Sequence, residues 1–508
     1  MRALVAVALL AACHPTDHVR TTETPRLVVL IVIDQWPEWS FEAKRAALDG
    51  GGFTRLLAEG EWRIGQHPSA ATLTAPGHAL LGTGAPPAES GILANEWYRR
   101  DAGKRQTAVE DGDTSSARWL RVPGIADALA RIHPTAKAVS VSLKDRSAIL
   151  VLGRGGTPIW YDRKTASFTS PAKPPWLARQ SLGARIHDVW TPLDASRLAR
   201  LSAIADDARG EVGEKHFGPV FPHVPDDTGD AADAVFSQPL GNTAVFETAL
   251  AAIEGEGLGT DDVPDLLVLS LSAHDYVAHG WGHESWEMWD AELRLDAELA
   301  GFLAELDRRA GAGRWAMVVT SDHGGSPQPE RAPGGGGRIT LEQLHTDLER
   351  AAAAVLGPGP WISDAKYPTV YLSPALLALP ASRRDAGIAA VLGALRAYPG
   401  IARAELAADL VGNCAVRPPD DRALCLALDR ERSGEIVFVP RPFWIMQDAD
   451  EPLATAHGSL NAYDREVPVL VLRPDRRTHS PQIVPLPGRM DMRDVAPLLA
   501  RWLGVVLR

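Results

Sequence analysis

Four short stretches of the sequence carry side chains suited to holding metal ions. Asp34 closes the run LVVLIVID, Asp275 and His279 sit in DYVAH, Asp322 and His323 are adjacent in SDHGG, and His457 lies in TAHGS. The four-residue spacing of Asp275 and His279 puts a carboxylate and an imidazole on one face of a helical turn. Mixed Asp and His ligation suits zinc or another first-row metal. Two sites of about three ligands each would leave open positions for a substrate. Two ions about 4 Å apart can clamp the attacking and leaving oxygens of an in-line phosphoryl displacement. A candidate nucleophile stands in ATLTAPGHALLGTG, residues 71–84, where Thr74 precedes Ala-Pro-Gly-His and a helix-like run. A threonine in that place is either an ordinary helix N-cap or a nucleophile held where backbone N–H groups face an anion.

These residues need elements that bring them to one place. Apolar runs of strand length end abruptly in polar residues at LVVLIVID (27–34), AVSVSLKD (138–145), DLLVLSLSAHD (265–275) and WAMVVTSDHGG (315–325), and VPVLVLRP (467–474) has the same character. Continuous Val, Ile and Leu runs fit strands buried on both faces, as in a parallel sheet. Amphipathic helical patterns lie between them, at 243–253 and 287–308. The expected fold is therefore α/β, a mostly parallel central sheet flanked by helices. Such sheets bind ligands at the carboxyl ends of their strands. Asp34, Lys144, Arg146, Asp275, Asp322 and His323 all fall there. Lys144 and Arg146, two apart at the end of an extended run, share one side. The Gly-, Pro- and Trp-rich stretch 151–235 and the stretch 326–450 break the alternation, and we read both as insertions over the ligand end of one domain spanning 25–508.

A 45% hydrophobic and 23% charged composition is that of a globular chain. The net charge of −12 argues against binding duplex nucleic acid, which needs a basic footprint. MRALVAVALLAAC opens the chain with one Arg and an apolar run too short to span a bilayer, so it reads as a secretory signal. Its end resembles a bacterial lipobox, which would make Cys13 a lipidation site and residues 1–24 a signal and tether. The expected location is the periplasm or the cell envelope, with membrane contact only through that anchor. Of the two other cysteines, Cys414 and Cys425, an oxidising compartment favours a loop disulfide. Free thiols or a metal pair are the alternatives, neither supported by a CxxC spacing.

The stretches DQW (34–36), TAPGH (74–78), GILANEWY (91–98), SLKDR (142–146), DYVAHGWG (275–282), SDHGG (321–325) and AHGS (456–459) occur in that order. The set resembles the alkaline phosphatase superfamily, in particular the bacterial phosphate-irrepressible alkaline phosphatases with a threonine nucleophile. TAPGH also parallels the T-x-P-x-H of nucleotide pyrophosphatases/phosphodiesterases. The resemblance implies that Asp34, Asp322 and His323 hold the zinc ion that activates Thr74. It implies that Asp275, His279 and His457 hold a second zinc beside the leaving oxygen. It gives Asn95, Lys144 and Arg146 the phosphoryl oxygens. Two cations beside the phosphoryl group suit the two charges of a monoester better than the one charge of a diester, so the expected activity is hydrolysis of small-molecule phosphate monoesters through a phosphothreonine. The alternatives are a phosphodiesterase or nucleotide pyrophosphatase on the same scaffold, and an inactive binding protein. The chain departs from the pattern at His274, where a small or hydroxyl residue is expected, and at Ala278, where relatives often have Gly.

Overall fold

The seven apolar residues Leu27–Ile33 form strand β1, and every one of them is buried. Alternation along the strand splits them between two layers. Leu27, Val29, Ile31 and Ile33 pack with Phe246, Leu299 and Phe302 from the helices Pro239–Glu256 and Trp286–Leu306. Val28, Leu30 and Val32 pack with Leu81, Leu129 and Leu499 from the helices Thr74–Thr83, Ile125–Ile132 and Val495–Trp502. A run without polar breaks is what a strand covered on both faces requires. The computed structural model describes residues 24–225, 231–473 and 484–507. The apolar leader, Cys13 and the tether as far as residue 23 lie outside the described residues. Among the described residues no helix is long and apolar enough to cross a membrane.

The other strands of the central sheet are β2 (Glu61–Gln66), β3 (Ala138–Ser142), β4 (Thr157–Asp162), β5 (Ser167–Thr169), β6 (Asp265–Leu271), β7 (Trp315–Thr320), β8 (Glu466–Leu472) and β9 (Leu486–Asp491). Their order across the sheet is β9-β2-β8-β7-β1-β6-β3-β4-β5. Only β8 and β5 run against the rest. The expected mostly parallel α/β sheet is present. The run at 467–472, similar in composition to the parallel strands, is antiparallel, because an apolar run reads the same in either direction. The carboxyl ends of the four neighbouring strands β7, β1, β6 and β3 lead directly into Asp322, Asp34, Asp275 and Lys144.

The stretch 151–235 begins with β4 and β5, which extend the central sheet rather than sit over it. The stretch 326–450 carries a four-stranded antiparallel sheet of Ile362–Lys366, Thr369–Leu372, Ile436–Pro440 and Ile401–Leu406. It has an apolar cluster of its own around Leu344, Leu395 and Phe438. Cys414 and Cys425 form a disulfide in this region, with Cα atoms 5.5 Å apart.

Candidate active site

All six expected metal ligands meet at the carboxyl end of the sheet, although they come from positions as far apart as 34 and 457. The helix Ala273–Trp281 begins two residues after β6, and its first turns place Asp275 and His279 one above the other. His279 Nε2 lies 3.2 Å from Asp275 Oδ1, and His457 Nε2 lies 3.5 Å from the same oxygen. His323 Nε2 is 3.5 Å from both Asp34 Oδ1 and Asp322 Oδ2. Each imidazole is oriented from behind by a backbone carbonyl. His279 Nδ1 donates to Thr455 O at 2.8 Å, His323 Nδ1 to Gly324 O at 2.9 Å, and His457 Nδ1 to Thr72 O at 2.8 Å. This orients each ring so that its Nε2 faces the carboxylates.

The donor set fits divalent cations. Asp34 Oδ1 and His323 Nε2 are buried without a hydrogen-bond partner among the described residues. Leaving buried polar atoms unpaired is costly unless a ligand satisfies them. Two groups of ligand atoms each lie within 4.8 Å of one another: Asp275 with His279 and His457, and Asp34 with Asp275 and His323. Asp275 is therefore shared between the groups, whereas the sequence assigned it to one ion alone. Asp322 stands at the edge of the second group, where its Oδ2 also meets His78 Nδ1 at 3.1 Å.

Lys144 explains the shared position of Asp275. Its ammonium is buried and sits 2.7 Å from Asp34 Oδ2 and 2.6 Å from Asp275 Oδ2. It bridges the two carboxylates. The electrostatics follow from the crowding. Burial pushes the Asp34 carboxyl up, and the Asp275 and Asp322 charges add to that effect. Burial opposes ionisation of Asp275 too, but Lys144 and His279 outweigh it and hold Asp275 well below the usual carboxylate range. His279 rises to about 9, because the Asp275 charge overcomes its burial. His457 falls well below the ordinary histidine value through burial and the nearby His323, which keeps its Nε2 free of a proton.

Thr74 is the buried first residue of the helix Thr74–Thr83. The helix start presses against the SDHGG turn. A Cβ on Gly77 would come within 2.2 Å of Asp322 O, so only glycine permits this approach. His78 ties the first turn in place: its Nδ1 lies 2.9 Å from Thr74 O and its Nε2 lies 2.8 Å from Ser270 Oγ. Asn95 Oδ1 accepts from the Ala75 N–H at 2.8 Å, which fixes the side chain beside the nucleophile candidate. Asn95, Arg146, His279 and His457 line a cleft of about 360 Å³. Arg146 Nε is buried there without a partner among the described residues.

Two contributions escaped the sequence reading. Gln35, in DQW, has a left-handed backbone (φ 56°) and donates its N–H to Asp322 Oδ1 at 3.4 Å. With its amide nitrogen turned towards Asp275 it donates to Asp275 Oδ1 at 2.9 Å. The cleft also takes Lys366, Tyr367, Met446 and Asp448 from the inserted region. No spacing in the chain signals these residues.

An α/β sheet with a carboxylate–imidazole cluster at its carboxyl end and a threonine at a nearby helix start is the arrangement of a phosphoryl-transfer hydrolase with candidate metal sites. The model of the type I phosphodiesterase / nucleotide pyrophosphatase family matches residues 28–460, and the chain belongs to that family, within the alkaline phosphatase superfamily. It is 28% identical over 502 residues to alkaline phosphatase PafA of Elizabethkingia meningoseptica, covering 92% of this chain and 90% of that one. It is 34% identical over 369 residues to alkaline phosphatase PhoV of Synechococcus elongatus, covering 67% and 66%. The crystal structure of wild-type PafA superimposes with a TM-score of 0.84 at 25% identity, covering 95% of this chain and 96% of that one. A PafA variant with Thr-to-Ser, Asn-to-Ala, Lys-to-Ala and Arg-to-Ala changes gives 0.83, also at 25% identity and the same coverage.

Proposed function

We propose that the protein hydrolyses phosphate monoesters through a phosphothreonine at Thr74. The observation that carries this reading is Arg146, a half-buried side chain that lines the cleft with Asn95 and whose buried Nε is unpaired among the described residues. A partly desolvated cation with a free donor calls for an anion, and a phosphoryl group is the anion a guanidinium matches best. The four residue types changed in the PafA variant stand here in the same order, as Thr74, Asn95, Lys144 and Arg146.

Each residue then has a task. The Thr74 oxygen attacks phosphorus as the ester P–O bond breaks and the leaving group departs with the electron pair. Asn95, held by Ala75, offers its amide N–H to one non-bridging oxygen, and Arg146 binds another. Water then cleaves the phosphothreonine and frees the threonine hydroxyl and inorganic phosphate. Asp34, Asp322 and His323 would hold one divalent ion and Asp275, His279 and His457 the other, with zinc favoured by the ligand set. Divalent ions held by these residues would lower the pKa of the threonine hydroxyl and of water and would neutralise charge on the leaving oxygen. Export and a lipid anchor at Cys13 belong to the same proposal and rest on the sequence of the first thirteen residues.

A second reading, hydrolysis of phosphodiesters or nucleotide pyrophosphates, is favoured by Lys144, whose ammonium is held by Asp34 and Asp275. A diester carries one charge and needs one cation fewer. The deciding measurement is kcat/KM of the zinc-loaded protein on an aryl phosphate and on the matching methyl aryl diester. A large monoester preference supports the first reading. A diester preference moves the activity to the second and leaves the metal assignments intact. A stable protein that takes up no metal and turns over neither ester would be a binding protein.

A further inference from the structure

His274 precedes the candidate ligand Asp275, and the structure shows what it touches. It is the second residue of the helix that carries Asp275 and His279, and it is fully buried. Its Nδ1 lies 2.8 Å from the backbone oxygen of Asp34, and its Nε2 lies 3.3 Å from Glu292 Oε1. Both nitrogens thus face oxygen atoms, one on the Asp34 backbone and one on Glu292. Glu292 Oε1 also accepts from Lys44 Nζ at 2.8 Å, and both of these side chains are buried. Lys44 ends the helix Glu38–Lys44, and Glu292 belongs to the helix Trp286–Leu306. The Lys44–Glu292–His274 chain therefore joins three helices and ends on the peptide of Asp34.

We propose that His274 is a positioning residue that sets the separation of the Asp34 and Asp275 carboxylates, with Lys44 and Glu292 fixing its ring. Asp275 follows His274 in the chain, so a ring anchored to the Asp34 carbonyl links the ends of β1 and β6. A buried carboxylate with two donors on one oxygen holds its partners in a narrow range of geometry. The inference rests on the reading of Asp34 and Asp275 as metal ligands. Outer partners that orient ligands typically change metal affinity or activity by about 10–100-fold when removed.

Three variants test it. His274→Ala removes both bonds, His274→Asn places an amide N–H where Nδ1 stands, and His274→Gln reaches towards Glu292 only. Circular dichroism and Tm first establish that each is folded. Zinc affinity is then read by competition with a chelator, kcat and KM by aryl phosphate hydrolysis, and backbone protection at 34–36 by hydrogen exchange without metal. We expect His274→Ala to bind zinc about 10–100-fold more weakly, to lose kcat with KM nearly unchanged, and to exchange faster at 34–36. His274→Asn should recover most of each effect and His274→Gln little. Unchanged zinc affinity and protection in His274→Ala would overturn the proposal, and so would equal losses in Asn and Gln that simply follow Tm. Hydrogen exchange also keeps the two readings apart. If the parent binds no zinc, the metal reading fails, while the exchange rates of the three variants still decide whether His274 positions Asp34.

Discussion

The imidazoles of His323 and His457 stack face to face, with ring centroids 3.7 Å apart and planes within 18°. They come from loops 134 positions apart in the chain. Each ring is pinned through Nδ1 to a backbone carbonyl, so each presents only Nε2 to the carboxylates. Two such stacked rings would repel if both were cationic, and burial together with the nearby His323 holds His457 well below the ordinary histidine value. The pair is built for cations other than protons.

Metal removal should therefore cost stability as well as activity. An ion that binds only the folded chain stabilises it by RT ln(1 + [L]/Kd), about 4 kcal/mol at a thousandfold excess over Kd. Exhaustive chelation should abolish turnover and lower Tm by several degrees, and zinc should restore both. His457→Ala should show the smaller Tm response to zinc that a lost ligand implies. An unchanged Tm after verified metal loss would contradict the assignment.

Thr74 stands where its backbone is clamped from three sides, by His78, Asn95 and the Gly77 contact with Asp322. Thr74→Ala keeps that scaffold and removes only the oxygen. Loss of a covalent nucleophile costs on the order of 10³-fold or more in kcat. Thr74→Ser should retain measurable turnover and trap label from a ³²P-monoester in acid-quenched protein, while Thr74→Ala should trap none. Label in Thr74→Ala would place the nucleophile elsewhere.

Lys144 compensates Asp34 and Asp275 within the fold. Taking one partner from a buried ion pair costs about 3–5 kcal/mol, because the charge left behind is unpaired. A divalent ion bound by the same carboxylates would supply the missing positive charge. Lys144→Ala should thus lose several kcal/mol of stability without zinc and distinctly less with it. Denaturant unfolding in both conditions checks this. Equal losses would mean that the carboxylates do not share their charge with the ion.

The sequence made the middle of this fold readable because β1, β6 and β7 are covered on both faces and are mostly apolar. It hid β2, EWRIGQ, whose polar alternation is that of a partly exposed strand, and β4, where Pro158 interrupts the run. Among the site residues, Asp34, Asp322 and His323 follow a strand closely and Asp275 and His279 form a helical i, i+4 pair, whereas His457 lies in a loop and stood out only through the ordered set of motifs. The carboxylate contacts of Lys144 were not legible. Its partners lie 110 and 131 positions away, and a side chain at a strand end points equally well to a substrate or to a neighbouring carboxylate. The rim residues Lys366 and Asp448 depend on how the inserted sheet docks, which no local pattern encodes.

Glu287 provides a pH signature away from the metal cluster. It is fully buried, its Oε1 lies 3.0 Å from His223 Nε2, and its Oε2 has no partner. Burial raises its pKa from 4.5 to about 10, with the nearby Glu211 and Asp206 adding to the shift, and burial lowers His223 to about 4. At neutral pH both groups are therefore uncharged, with the Glu287 O–H donating to His223. The unfolded chain releases the Glu287 proton above about pH 4.5 and the folded chain keeps it until about pH 10. Between those values the folded state binds more protons, so stability falls as pH rises, and the contribution present below pH 4.5 is gone above pH 10. Glu287→Gln keeps an N–H donor for His223 and cannot ionise. Its Tm should exceed that of the parent by a margin that widens from pH 5 to pH 9, reaching on the order of a few kcal/mol in stability. A margin independent of pH would show that Glu287 is ionised in the fold and that its charge is met by a cation.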